Sequence, residues 1–378
     1  MGTRPENPNP RRAPNRDAAR ALANQRRAIE ALDGRILKLV ARRLAVAESI
    51  GRAKCDHGIP LRNFEVEAQV RTRLEGLARD FGFEGTLGRD LALFLIEHSL
   101  QTQSALIEKV YAGDRLETLV VGGMGGMGRW VARFLNGQGH RVAICDPASG
   151  DCPFPRVQSL AEGVREADLI MVAVPMSACG ELLAEVASLE PAGVVAEMCS
   201  FKTHLAPAFA ALKAGGVRFV PFHPLFGPGV RMLTGKSIVF CTEGDPGGTA
   251  LVKGLFSATS AALVDMSVEE HDRRMAFVLG MTHLCNIGLA RALAKSGVPF
   301  ADLAEAGGVT FHKQMGTTRE VASENPALYY EIQALNPATR DTVARLTGAL
   351  EEVLDAVEAC DAGAFTRIME EGGNYFRK

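Results

Sequence analysis

The sequence has little net charge, no apolar run long enough to cross a bilayer and no ordered spacing among its cysteines. Each lack removes a class of function. Its 42 basic and 44 acidic side chains leave a net charge of −2. No global positive field draws the chain to nucleic acid or to a membrane surface, so a small-molecule partner is expected. The longest uncharged apolar-rich stretch, Met275 to Ala290, contains Thr282, His283 and Asn286. It falls short of the ~18–20 apolar residues that span a bilayer and is expected to be a buried helix. The cysteines, at Cys55, Cys145, Cys152, Cys179, Cys199, Cys241, Cys285 and Cys360, form no C-x-x-C pair and no His–Cys pattern of the zinc type. No metal site is therefore expected, and reduced, mostly buried thiols suit a cytoplasmic protein. Met1 to Arg20 lacks the apolar segment of a secretory signal and is rich in Pro, Asn and Arg. It is expected to be a disordered tail.

What is present is a chain of 378 residues, 47% hydrophobic and 23% charged, which excludes wholesale disorder and suggests two or three folding units. Its character changes along its length. Residues 21–112 show helical periodicity, broken at Gly58-Ile59-Pro60 and around Gly82 and Gly85 to Gly88. From Thr118 short β-rich runs alternate with helical stretches: Leu119 to Val121, Arg141 to Cys145, Leu169 to Val174, Val194 to Glu197, Val217 to Val220 and Ser237 to Cys241. Such alternation predicts an α/β domain with a parallel sheet over residues 113–267. Residues 268–378 read as all-α. The helix over Thr342 to Val357 carries Val343, Leu346, Leu350, Val353 and Leu354, an apolar face suited to dimerisation.

The long first helix has an apolar seam at seven-residue spacing, Leu22, Ile29, Ile36 and Ile50, with Arg43 in the seam. A second stripe runs Leu32, Leu39, Val46, Ala53. An arginine within a seam needs an anionic partner, either a protein carboxylate or a ligand. Lys54 lies about three turns beyond Arg43 on nearly the same face, whereas Arg26 is displaced by roughly 260° around the helix. Arg26 therefore cannot serve the same pocket in the same protomer unless the helix bends; a partner chain could supply it instead. Ser99 and Gln103 are neighbours on a later helix.

These residues resemble the helical chorismate mutases over roughly Leu22 to Glu108. The resemblance implies an intertwined dimer. Arg26 (crossing from the partner), Arg43, Lys54, Glu67, Ser99 and Gln103 would hold chorismate, Lys54 and Gln103 donating to its ether oxygen. The rearrangement is pericyclic, so the site has only to fix the reactive conformer and stabilise growing negative charge. The chain departs from the family at Val66, where an arginine is usual, and at Asn63, where Asp is common. A scaffold or effector-sensing role for these helices therefore stays open.

Leu119 to Val121 lead into G-x-G-x-x-G at Gly123, Gly125 and Gly128, with Gly126 and Met127 inside the loop. A helical stretch follows, and a second strand ends at Asp146. This context predicts a Rossmann dinucleotide site. The glycines admit the pyrophosphate, the helix N-terminus favours its charge, and Asp146 accepts from the ribose of NAD and repels a 2′-phosphate. Beyond it, His223 before Pro224 is the candidate proton acceptor, with Ser200 and Lys202 to orient it or hold polar substrate groups.

The Ser200 and Lys202 loop, His223-Pro-Leu-Phe-Gly-Pro and the run from Glu270-His271-Asp272 to His283 resemble prephenate dehydrogenases over roughly Glu117 to Lys378. The domain order is similar to the bifunctional T-proteins of tyrosine biosynthesis. The resemblance implies that His223 contacts the ring 4-hydroxyl, that Ser200 hydrogen-bonds it, and that an arginine, here Arg319, holds the side-chain carboxylate. His283 is expected near the substrate. The expected enzyme is a cytoplasmic homodimer that converts chorismate to prephenate, then prephenate to 4-hydroxyphenylpyruvate with NAD. The same chemistry on a 4-amino-4-deoxy substrate, and an NAD-sensing regulator, are the other readings.

Overall fold

The computed structural model describes residues 16–56, 64–107 and 115–377, apart from 139, 231, 232, 234, 258 and 260. It divides into two compact units, 1–107 and 108–378. Asn63 and residues 1–15 of the expected tail lie outside the described residues. Helix begins by Arg16, so the tail expected over Met1 to Arg20 is helical at its end.

The first unit is three helices, α1 (Arg16–Asp56), α2 (Phe64–Asp80) and α3 (Gly85–Ile107). Gly82 makes the turn between α2 and α3 with φ +79°, a left-handed conformation that glycine adopts without a Cβ clash. A Cβ at Gly88 would meet the Leu74 carbonyl oxygen at 2.3 Å, so this glycine lets α2 and α3 touch backbone to backbone. The seam of α1 is not buried within one chain. Leu22, Ile29, Ile36, Leu39, Val46 and Ile50 are all exposed.

The second unit is built on a seven-stranded sheet of order β2-β1-β3-β4-β5-β6-β7. The strands are β1 (Glu117–Val121), β2 (Arg141–Cys145), β3 (Leu169–Val172), β4 (Val194–Glu197), β5 (Phe219–Pro224), β6 (Ser237–Cys241) and β7 (Ala262–Met266). Strands β1 to β5 are parallel, whereas β6 runs antiparallel to β5 and parallel to β7. The expectation of a parallel sheet thus holds for five strands and fails at β6. Strand β7 was not anticipated. Near-continuous apolar runs such as Leu169-Ile170-Met171-Val172, entirely buried, reflect helices on both faces. Apolar cores fill both faces, one around Ile170, Leu183, Phe201 and Leu212, the other around Val131, Leu135, Phe222 and Phe256. The order reverses between β1 and β3, which opens a crevice at their carboxyl ends.

From Val268 the chain is helical. The expected buried helix is longer and less buried than its composition suggests. It runs 28 residues, Val268–Lys295, and contains an 18-residue stretch of mean hydropathy 1.3, while Phe277, Val278 and Ile287 are exposed. By length and composition alone it could cross a membrane. Its polar contacts argue otherwise: Asp272 is buried beneath backbone donors, and Asn286 meets Thr318 and Gln314. A π-helical turn, Ala276–Met281, interrupts it. Glu331 ties this region to the start of the helix after β3 (Met176–Ser188) by accepting from the Met176 N–H and the Ser177 hydroxyl.

Candidate active sites

In the three-helix unit, Arg43 reaches from α1 to α3. It donates to the Ser99 hydroxyl at 2.6 Å and to the Leu95 carbonyl at 3.0 Å. Partial burial, and then the charge of Arg73, push its guanidinium below its ordinary pKa. An anion entering here would relieve both pressures. Lys54 and Glu67 are half-buried, Arg26 and Val66 are exposed, and the Gln103 side chain lies outside the described residues. Arg73 was missed by the sequence reading. It lies two turns beyond Val66 on the same face of α2, a seven-residue spacing that would have flagged it.

In the sheet unit, β1 passes through Gly122, φ +82°, into helix α4 (Gly126–Gly137), with Gly125 capping it. A Cβ at Gly128 would sit 2.0 Å from the Gly122 oxygen, so strand and helix meet only because residue 128 is glycine; a Cβ at Gly122 would instead meet the Ala173 oxygen at 2.4 Å. Asp146 closes β2 and braces the loop, its carboxylate accepting from the Met124 and Ala148 N–H groups. A cavity of about 370 Å³ opens beside this loop. Met127 and Ala173 to Met176 form one wall, Ser200 and His223 the floor, and His283, Glu324 and Tyr329 the other wall.

His223 lies on β5 itself, paired with Val239, because the strand extends past the Val217 to Val220 run expected from the sequence. Its Nδ1 is 3.0 Å from Nε2 of His271, and Nδ1 of His271 is 2.7 Å from Oδ1 of Asp272. Burial, then the neighbouring His271 and Lys202, hold His223 well below the usual imidazole pKa. His223 is therefore neutral at pH 7, with Nε2 left for the cavity. Burial alone would raise the Asp272 carboxyl. Hydrogen bonds from His271, Thr203 and Lys202 outweigh it and hold the group below its ordinary value.

Three families match consecutive stretches: chorismate mutase type II at residues 25–104, the nucleotide-binding domain of prephenate dehydrogenase at 145–247, and its dimerization domain at 267–371. A chorismate mutase of Methanocaldococcus jannaschii is 31% identical over 88 residues, 23% of this chain and 89% of that protein. The T-protein of Enterobacter agglomerans is 23% identical over 337 residues, 89% of this chain and 88% of that protein. The chain belongs to the fused chorismate mutase/prephenate dehydrogenase family of tyrosine biosynthesis. The fold of its second unit is that of a solved prephenate dehydrogenase from A. aeolicus, in complex with hydroxyphenyl propionate and NAD+. That likeness has a TM-score of 0.57 at 18% identity, covering 70% of this chain and 99% of that one.

Two candidate residues of the dehydrogenase unit lie away from the cavity. Lys202 is fully buried behind it. Its ammonium donates to Glu197 at 2.5 Å and to the Cys199 and Phe222 carbonyls at 3.1 and 2.9 Å. Burial opposes its charge, but Glu197 more than compensates and raises its pKa. Lys202 thus braces the turn after β4 and has no free proton to offer a substrate. Arg319 lines a separate cavity of about 500 Å³, its guanidinium over the Phe300 ring at 5.2 Å. Within one chain it does not share the cavity of His223.

The fold also gathers Cys179, Glu197 and Cys199 within 4.8 Å, a grouping that no sequence spacing reveals. The Glu197 oxygens already accept from Lys202 and the Cys199 N–H. A hydrogen bond with Cys179, then burial, push the Cys199 thiol well up. The cluster is a neutralised core rather than a ready metal site. Cys285 and Cys360 are exposed, against the expectation of mostly buried thiols.

Proposed function

We propose that the helical unit rearranges chorismate to prephenate and that the sheet unit oxidatively decarboxylates prephenate to 4-hydroxyphenylpyruvate with NAD. The observation that carries the second half is His223, neutral and at the floor of a cavity that reaches the glycine loop. The residues present fit a dinucleotide. Gly122 and Gly128 clear the turn for a pyrophosphate at the start of α4, and Asp146 stands at the end of β2 for a ribose. NAD, when bound, supplies the hydride acceptor. His223 accepts the C4 hydroxyl proton at Nε2 as the C4 hydrogen departs, and Ser200 lines the same cavity. Ring carboxylate then leaves as CO2 because aromatisation drives the step.

In the helical unit Arg43, supported by Ser99, binds a carboxylate, often bidentately for arginine. Lys54, Glu67 and Gln103 complete the pocket, and Arg26 enters from a second copy. The exposed α1 seam, together with Leu350, Leu354 and Val357, supports a homodimer. Incubation with chorismate, with and without NAD, tests both halves. Prephenate without NAD and NADH with it are expected. No prephenate would leave the helical unit as scaffold.

One observation favours a second substrate. Glu324 lines the dehydrogenase cavity, and no lysine or arginine is among the described residues lining it. A carboxylate there prefers an ammonium to a second carboxylate. An amino-bearing substrate, arogenate or 4-amino-4-deoxyprephenate, would then show the higher kcat/KM in direct comparison with prephenate.

A further inference from the structure

The row His223, His271, Asp272 runs inward from the cavity floor and ends on groups that cannot shift. Asp272 accepts from the Lys202 N–H at 3.0 Å and the Thr203 N–H at 2.7 Å, and its own carbonyl accepts from Asn336 at 2.9 Å. His271 has no exposed surface and bridges the other two. An ionised Asp272 requires the proton of His271 on Nδ1. Nε2 of His271 is then an acceptor, which requires the proton of His223 on Nδ1. The carboxylate therefore sets both tautomers and leaves Nε2 of His223 a lone pair aimed at the substrate.

We propose that His271 and Asp272 are positioning residues that hold the substrate proton while the ring reacts. This rests on the dehydrogenase reading above. The hydroxyl proton passes to Nε2 of His223, and the Nδ1 proton of His223 passes to Nε2 of His271. Meanwhile the C4 hydrogen leaves with its electron pair for NAD+, and the C4 oxygen becomes a carbonyl. The bond to the ring carboxylate then breaks, its electrons enter the ring, and CO2 departs. The resulting phenolate oxygen takes the proton back along the same path, so no net proton is released.

Electrostatics favours the inner location. A cation on His223 would sit buried beside the Lys202 ammonium, and the nearby Cys199 and Cys241 thiols are held protonated. On the cavity side, His283, Glu324 and Tyr329 are the other titratable groups, with the Cys199 thiol beside them. A cation on His271 has the Asp272 carboxylate 2.7 Å away. The proton therefore moves from a ring beside the Lys202 ammonium to a ring beside the Asp272 carboxylate.

The first measurement is NADH formation by the unaltered chain with prephenate, arogenate and 4-amino-4-deoxyprephenate. No turnover of any would remove the dehydrogenase reading itself. With turnover established, Asp272→Asn offers an amide donor to His271 and inverts both tautomers. It should lower kcat about 10²-fold. NAD binding, read from Trp130 fluorescence, and KM should stay within about twofold. The acid limb of kcat/KM should move about one unit lower, because the carboxylate no longer holds the shared proton. His271→Gln keeps an acceptor for Nδ1 of His223 and should outperform His271→Leu by at least ~10-fold. Unchanged kcat and pH limb in Asp272→Asn would overturn the proposal. Equal loss in the Gln and Leu variants would overturn it as well, because packing alone would then explain both. Should Asp272→Asn fail to fold by circular dichroism, the Gln and Leu pair decides.

Discussion

The ring of His283 lies against that of Tyr329, centroids 4.5 Å apart, and its Nδ1 is buried with no hydrogen-bond partner among the described residues. An unsatisfied buried nitrogen costs about 1–3 kcal/mol unless a ligand meets it. Burial holds this imidazole below its ordinary pKa, so it meets a ligand as a neutral group. His283→Phe keeps the ring contact and removes the nitrogen. KM for the dehydrogenase substrate should rise about 10-fold with kcat nearly unchanged, the pattern of lost ground-state binding. Thermal unfolding should show no loss of stability. An unchanged KM would place the substrate elsewhere.

His140, His223 and His283 are all held below the ordinary imidazole value of 6.5, in each case first by burial. The unfolded chain therefore binds protons that the folded chain refuses, and stability rises with pH. The contribution is fully present above pH ~6.5 and is lost as pH falls through the depressed folded values. Urea midpoints measured from pH 8 to pH 5 should be flat above about pH 7 and decline below it. His140→Gln should flatten part of that decline without touching either activity.

Much of this site was legible because its signals are local. Strand, glycines and helix follow one another between Glu117 and Gly137, and the Arg43 charge interrupts an apolar seam at a fixed spacing. What was not legible depends on long-range assembly. His223 stood out, but its partner His271 is 48 residues away and becomes one only when the helix after β7 returns beneath β5. Lys202 read as a substrate ligand because a lysine beside a serine in a loop suggests one. Only the fold shows Glu197 waiting behind it. Arg319 read as a substrate ligand from the resemblance alone, and only the fold shows its guanidinium over the Phe300 ring in a separate cavity. The π turn at Ala276–Met281 left no trace in composition, yet Leu279 within it and His283 just after it both line the cavity.

The Lys202–Glu197 pair makes a prediction about stability rather than chemistry. Both side chains are buried, 0% and 2% exposed, so removing one strands the other's charge. Lys202→Met should cost about 3–5 kcal/mol. Adding Glu197→Gln in the same chain should recover part of that loss. Urea unfolding monitored by circular dichroism gives both values. A single substitution costing under ~1 kcal/mol would mean that water or relaxation satisfies Glu197.

Arg43 separates the two chemistries. It is held by Ser99 and Leu95 within the first unit, and His223 belongs to the second. Arg43→Ala should reduce chorismate rearrangement about 10²-fold or more, since a carboxylate loses its charge-assisted donors. NADH formation from added prephenate should not change. Arg43→Lys should restore little, because an ammonium cannot reproduce a two-pronged grip. The converse variant, His223→Asn, should spare the rearrangement while lowering NADH formation about 10²-fold.

Gly128 tests whether the turn before α4 exists to admit a dinucleotide. Its added Cβ would stand 2.0 Å from the Gly122 oxygen and 2.9 Å from the Gly123 Cα, both backbone, so no flexible side chain can yield. Gly128→Ala must push α4 away from β1 and spoil the approach of the loop N–H groups to a pyrophosphate. NAD affinity, read from the fluorescence of Trp130 on that same helix, should fall about 10-fold or more. Chorismate rearrangement, carried by the other unit, should be untouched, which separates a local change from general misfolding. Gly254 is the control. A Cβ there meets nothing within 4 Å, so Gly254→Ala should leave NAD affinity unchanged. If both variants bind NAD equally well, the glycine turn serves strand–helix packing alone and the dinucleotide lies elsewhere.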